Sequence, residues 1–203
     1  MIISVSQKSI SNGDFFGRVE KIAKAQPDFF ILREKDINID EYNTLAKKCF
    51  EICKKYNTKL SINTNIQSAI EIGIKNIHLP FSLFYEKRNE LNYFENIGVS
   101  VHSKEEAIKA EELNATYIIA GHIYNTDCKK GIEGRGLKYL EEICNNVSIP
   151  VYGIGGISIE KIPEVIKTGA YGVAVMSEFM KCENPYERII EYKNILNKNS
   201  NKI

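Results

Sequence analysis

Short apolar runs alternate along the chain with amphipathic stretches of helical period, and the same unit returns eight times. Residues 2–6, 28–32, 59–63, 76–79, 97–101, 117–120, 151–154 and 172–175 read as strands. Helical patterns occupy 15–24, 39–56, 66–72, 104–113, 137–146, 159–168 and about 185–196, while 81–95 is the weakest unit. Strands joined through helices lie parallel, because such a crossover needs a dozen or more residues. An open doubly wound sheet would carry GxGxxG after its first strand. Here that position reads SVSQKSISNGDF. The pattern therefore predicts an α/β protein, a single-domain (β/α)8 TIM barrel spanning 1–203, with a polar tail from about residue 197.

Composition narrows the function classes. Among 203 residues, 27 basic and 26 acidic side chains are interspersed, for a formal net charge of +1. No cationic stripe is available for a phosphodiester backbone and no polybasic patch for an anionic membrane, so neither nucleic acid nor membrane is an expected partner. The start, MIISVSQKS, lacks a charged and then long apolar leader, and no apolar run approaches the roughly 20 residues that span a bilayer. A cytoplasmic protein is expected. The five cysteines, Cys49, Cys53, Cys128, Cys144 and Cys182, form no CxxC pair and read as reduced thiols, with Cys49 and Cys53 packed on one helix face.

Active sites of such barrels lie at the carboxyl ends of the strands. After the second strand comes Arg33-Glu34-Lys35-Asp36, after the third Asn63-Thr64-Asn65, and His78, His102 and His122 close the fourth, fifth and sixth. Gly155-Gly156 follows the seventh and Met176-Ser177 the eighth. Glycines let a backbone approach closely and helix starts point amides at anions, so these two adjacent loops are expected to bind a phosphate; each alone would pass for a tight turn or an N-cap. Arg33 and Lys35, two apart on a strand continuation, face one side and would aim two cations at a second anion, unless Glu34 and Asp36 pair with them. Asn63 joins that group. His122 sits where a proton carrier near neutral pH would be useful. His78 and His102 read as supporting residues, with His102 also counted among the side chains that face the substrate. A His₃ zinc site or a Cys128/His122 nucleophile pair are weaker readings of the same residues, and no metal or cofactor is expected. Gly131, Gly134 and Gly136 suggest that residues 125–135 form a lid.

Four segments together resemble the thiamine-phosphate synthase superfamily: LREKD (32–36), GVSVHS (98–103), PVYGIGGI (150–157) and GVAVMS (172–177). That superfamily's synthases place an aspartate after the asparagine of the third strand and another after the fourth, to hold Mg²⁺. This chain has Thr64 and, in HLPFSL, Ser82 or Leu83. GHIYNTDCKKGIEGRG, where synthases have Gly-Pro, resembles the TenI-type thiazole tautomerase branch. The resemblance implies an isomerase that aromatises the carboxythiazole phosphate tautomer without metal, with His122 as the acid/base. Gly155, Gly156, Met176 and Ser177 would then hold the phosphate, Arg33 and Lys35 the carboxylate, and Lys129 or Lys130 would close over the site. It also implies a homo-oligomer. The alternatives are a magnesium-dependent thiamine-phosphate synthase or a ligand-binding regulatory protein without turnover.

Overall fold

In a computed structural model that describes residues 1–35, 37–126, 129 and 131–200, the eight apolar runs are strands closed into one ring. They are β1 (Ile2–Val5), β2 (Phe29–Leu32), β3 (Leu60–Asn63), β4 (Asn76–Pro80), β5 (Asn96–Val101), β6 (Tyr117–Gly121), β7 (Val151–Ile154) and β8 (Gly172–Val175). Each pairs in parallel with its successor, and β8 returns to β1, so that Ile3 stands opposite Phe29 on one side and Ala174 on the other. The (β/α)8 barrel expected from the pattern is the observed fold.

The outer layer consists of α1 (Phe15–Lys24), α2 (Ile39–Lys55), α3 (Ile66–Ile72), α4 (Phe81–Lys87), α5 (Lys104–Glu112), α6 (Gly136–Cys144), α7 (Ile162–Lys167), α8 (Ser177–Lys181) and α9 (Pro185–Ser200). Caps set several starts: the Asp14 carboxylate accepts from the Gly17 amide at 2.7 Å, and Asn38 Oδ1 from the Glu41 amide at 2.9 Å. The weak segment 81–95 forms α4 and then a 3₁₀ stretch, Arg88–Tyr93. The single helix expected over 159–168 is a 3₁₀ turn, Ile159–Lys161, followed by α7, whose Pro163 sits in the first turn, where a missing N–H breaks no helical bond. Helix α9 continues through Ser200, past the expected start of a polar tail; residues 201–203 lie outside the described residues.

Strand alternation sorts the core into two clusters. Residues such as Ile2, Phe30, Leu32, Ile62, Leu79 and Val99 pack outward under the helices, whereas Ile3, Val5, Phe29, Ile31, Tyr117, Ile119, Tyr152 and Ala174 fill the lumen. The lumen is not uniform. In β3 to β5 the alternate positions to the outward apolar residues are Ser61, Asn63, His78, Gly98 and Ser100, so one half of the barrel interior is polar or small. Tyr117 crosses to that half, stacked on Phe29 with ring centroids 4.9 Å apart. It passes over Gly98, where a Cβ would overlap its ring and lie 2.5 Å from His78 Nδ1.

The ring is tied where its ends meet. Val173 N donates to the Met1 carbonyl at 3.1 Å, and Ile2 N to the Asp28 carboxylate at 2.5 Å. Outside this seam the buried Arg18 guanidinium donates to Asn12 O and Phe179 O, joining α1, the loop before it and α8. Cys49 and Cys53 are fully buried, and burial pushes the Cys53 thiol up to about 12, so both act as packing groups. Cys128 lies outside the described residues. No helix among the described residues is long and apolar enough to cross a membrane.

Two expectations follow. Gly98→Ala forces a methyl into the Tyr117–His78 contact, which should destabilise by about 3 kcal/mol and lower Tm by roughly 6–12 °C in a thermal melt. His78 is buried and its pKa is lowered to about 3 by desolvation. The native ring therefore stays neutral while the unfolded ring protonates below its ordinary value, so stability falls as pH drops through that window. From pH 7 to 5 the His78 contribution is a loss of about 2 kcal/mol, and urea titrations of His78→Gln should show a pH dependence shallower by that amount.

Candidate functional site

At the carboxyl ends of the strands opens a cavity of about 480 Å³, within the range of small-molecule sites. Its floor is apolar, made by Val5, Ile31, Ile119, Ile154 and Ala174. Polar groups stand around the rim on two opposed sides.

One side is built by the loops after β7 and β8. Gly155 and Gly156 both have positive φ, +99° and +65°. A Cβ at Gly155 would lie 2.9 Å from His122 Cα, and one at Gly156 2.6 Å from the Asn125 carbonyl, so only glycine fits either place. Met176 and Ser177, at the start of α8, line the same side. The four residues expected to hold a phosphate therefore lie together on the wall of one cavity.

The opposite side comes from β2 to β5. Arg33 and Asn63 line it, half-buried. The Glu34 carboxylate is turned away from Arg33, accepting from Ser6 Oγ at 2.6 Å and the Lys8 amide at 2.8 Å. Lys35 is exposed and does not reach the cavity, because the chain leaves strand geometry after Leu32 and the two-residue alternation no longer holds. Asp36 lies outside the described residues. His102 is fixed at both ends: its amide donates to Glu106 Oε2 at 2.7 Å while Ser103 caps α5, and its Nδ1 meets the Gly121 carbonyl at 3.1 Å. A carbonyl only accepts, so Nδ1 carries a proton there and Nε2 is the nitrogen left uncommitted.

His122 also lines the cavity, and its two nitrogens differ. Nε2 donates to the Ile132 carbonyl at 3.2 Å, and Nδ1 is buried without a hydrogen-bond partner among the described residues. The imidazole thus reaches Ile132, next to which Gly134 N donates to Asn125 Oδ1 at 2.7 Å and Arg135 N to His122 O at 2.9 Å. Lys129, exposed, reaches the cavity from that segment, whereas Lys130 lies outside the described residues.

All three histidines line one cavity, yet among the described residues no three His, Cys, Asp or Glu side chains gather as a metal site. Sequence reasoning passed over Ser100, Thr126, Ser158 and Glu178, which line the cavity as well. Ser100 was within reach, since it shares strand parity with His102. Glu178 is the only carboxylate on the wall among the described residues, and it is engaged by the Tyr192 hydroxyl and by Arg188 at 3.3 Å.

Comparison with known proteins corrects the branch. The sequence model of the family described as thiamine monophosphate synthase matches residues 1–179. Thiamine-phosphate synthase of Clostridium acetobutylicum is 33% identical over 204 residues, covering 100% of this chain and 97% of that protein. The Clostridium novyi enzyme of the same name is 34% identical over 184 residues, 87% of this chain and 89% of its own length. Among solved structures, thiamine phosphate pyrophosphorylase from Pyrococcus furiosus superposes with a TM-score of 0.83 at 25% identity, covering 97% of this chain and 95% of that one. These relatives carry the name of a synthase, a transferase, and overturn the expectation of an isomerase of the TenI-type tautomerase branch. By the extent of these matches, the chain belongs to the thiamine monophosphate synthase family.

Proposed function

We propose that this chain couples a pyrimidine diphosphate to a thiazole phosphate, forming thiamine phosphate and releasing diphosphate. The bond that forms joins the thiazole ring nitrogen to the pyrimidine's methylene carbon. The bond that breaks joins that carbon to the diphosphate oxygen, and its electron pair leaves with the diphosphate.

The observation that carries this reading is the two-sided cavity. Two anionic substrates need two anion-receptive walls facing each other, and an apolar floor on which two flat rings can lie together without water. Gly155, Gly156, Met176 and Ser177 supply one wall for the thiazole phosphate. Arg33 and Asn63 supply the other, Lys129 reaches in from the loop after β6, and Arg33 and Lys129 meet the charge that grows on the departing diphosphate. Ile31, Ile119 and Ile154 keep water from the electron-poor methylene carbon.

Synthases of this family hold Mg²⁺ on two aspartates, and the residues present do not fit that arrangement. Thr64 donates its hydroxyl to the Asn63 carbonyl at 2.7 Å, Ser82 is exposed on α4, and the one wall carboxylate, Glu178, is already engaged. Magnesium prefers carboxylate and water oxygens, and no free carboxylate faces the cavity among the described residues.

The test is a coupled assay of thiamine phosphate and diphosphate with both substrates, run across a magnesium titration. The wild type should release one diphosphate per thiamine phosphate. Arg33→Gln should lower kcat/KM for the pyrimidine diphosphate by about 10², and Gly156→Ala should act on KM for the thiazole phosphate instead. If the wild type forms no thiamine phosphate above the uncatalysed background at any magnesium concentration, the proposal fails.

A further inference from the structure

A second cavity, of about 490 Å³, opens at the amino ends of the strands, at the opposite mouth of the barrel from the candidate site. Aromatic rings line it. Phe29 and Tyr117 lie stacked, Tyr152 stands edge-on to Tyr117 with ring centroids 5.9 Å apart, and the exposed Tyr171 stands edge-on to Tyr152 at 5.6 Å. The residues that lead into β2 and β3 bring Asp28 and Lys59 to the same cavity.

Two polar groups here have hydrogen-bonding capacity left over. Tyr152 is 3% exposed, yet its hydroxyl makes no hydrogen bond among the described residues and is not sealed off by protein, so it opens into the cavity that the residue lines. A phenol buried this deeply ordinarily has a partner. Burial and then the Asp28 charge hold that phenol above its ordinary pKa, which sets the carboxylate close to it. Asp28 itself is half-buried, and the amides of Ile2 and of Asp28 bear on its carboxylate. With about four lone-pair sites, it keeps acceptor capacity beyond those two.

The surrounding charge decides the kind of ligand. Lys193 Nζ, held by the carbonyls of Ala25 and Gln26 at 2.8 and 2.6 Å, is near enough for its charge to act on Asp28, and Lys59 Nζ stands 5.4 Å from the centre of the Phe29 ring. A cationic ligand would meet two ammonium groups beside one carboxylate. A neutral flat ring meets neither objection and packs against the aromatic walls. To satisfy the hydroxyl and the carboxylate together it must carry an acceptor and an N–H donor side by side. We propose that the amino-end cavity is a second small-molecule site, which takes a neutral amino-substituted nitrogen heterocycle whose amino group donates to Asp28 and whose adjacent ring nitrogen accepts from Tyr152. This site is separate from the one at the carboxyl ends and stands whatever reaction runs there.

Cytosine is the probe, because it carries that edge and no charge. Uracil is its complement, with a carbonyl and a ring N–H in the same two places. Cytosine titrated into the ¹⁵N-labelled full chain should move the amide signals of Asp28, Lys59, Thr116, Tyr152 and Tyr171 together, with a Kd of about 0.1–1 mM. Uracil should bind there at least about tenfold more weakly. Tyr152→Phe, which keeps the ring, should weaken cytosine at these amides roughly threefold to tenfold, the scale of one neutral hydrogen bond. Asp28→Asn, whose Oδ1 can keep the Ile2 bond while its NH₂ offers a donor in place of an acceptor, should weaken cytosine further and leave uracil no weaker. Arg33→Gln, in the other cavity, should leave these shifts as they are. The proposal is overturned if the five amides stay still up to about 10 mM cytosine, or if only signals from the carboxyl-end cavity move. It is overturned equally if uracil binds as well as cytosine, or if Tyr152→Phe keeps wild-type affinity. Should Asp28→Asn fail to fold in a thermal melt, Tyr152→Phe and the uracil comparison still decide.

Discussion

Closing eight parallel strands into a ring commits every second side chain of every strand to a space with no solvent and no other element in it. Those inward side chains must fill the lumen, and the rest of the structure depends on how they do so. In β1, β2, β6 and β8 they are Ile3, Val5, Phe29, Ile31, Tyr117, Ile119 and Ala174, which bury apolar surface. In β3 to β5 they are Ser61, Asn63, His78, Gly98 and Ser100. A buried polar group without a partner is costly, so the polar half is stable only where its groups find each other. The Ser100–His78–Tyr117 contacts meet that requirement, and they run from the barrel interior to the cavity wall.

The same asymmetry organises the mouth of the barrel. The glycine loops after β7 and β8 rise from an apolar sector, where the backbone is the available polar surface. The side chains Arg33, Asn63, Ser100 and His102 rise from strands that include the polar sector, so the polar surface there is made by side chains. One wall thus presents backbone, the other individual polar and charged side chains. The division follows from which strands carry which residues.

Much of this was legible in the chain. Every strand was placed to within a residue at each end, because a buried parallel strand is a short continuous apolar run bounded by loop chemistry. Gly155, Gly156, Ser177, Arg33 and Asn63 were found because residues that follow strands in a barrel converge on one face. Lys35 was misjudged because strand parity was carried past Leu32, where the strand ends. Tyr117 and its link to His78 were not legible: the two are 39 positions apart, and what joins them is the missing side chain of Gly98 in a strand between. Side-chain files across a barrel are properties of closure, and closure is not written in any one segment.

The tautomerase reading rested on a Gly-His pair and its loop, a local motif, and it is overturned by relatives that match most of the chain and carry the name of a synthase. The histidines that follow β5 and β6 both line the cavity, and a backbone carbonyl orients each of them: Gly121 O meets Nδ1 of His102, and Ile132 O accepts from Nε2 of His122. The two rings therefore keep opposite nitrogens uncommitted, Nε2 in the exposed His102 and Nδ1 in the buried His122, which has no hydrogen-bond partner among the described residues. One local signal, a histidine just past a strand, thus gives two different presentations at one cavity, because the carbonyl that fixes each ring comes from another part of the chain.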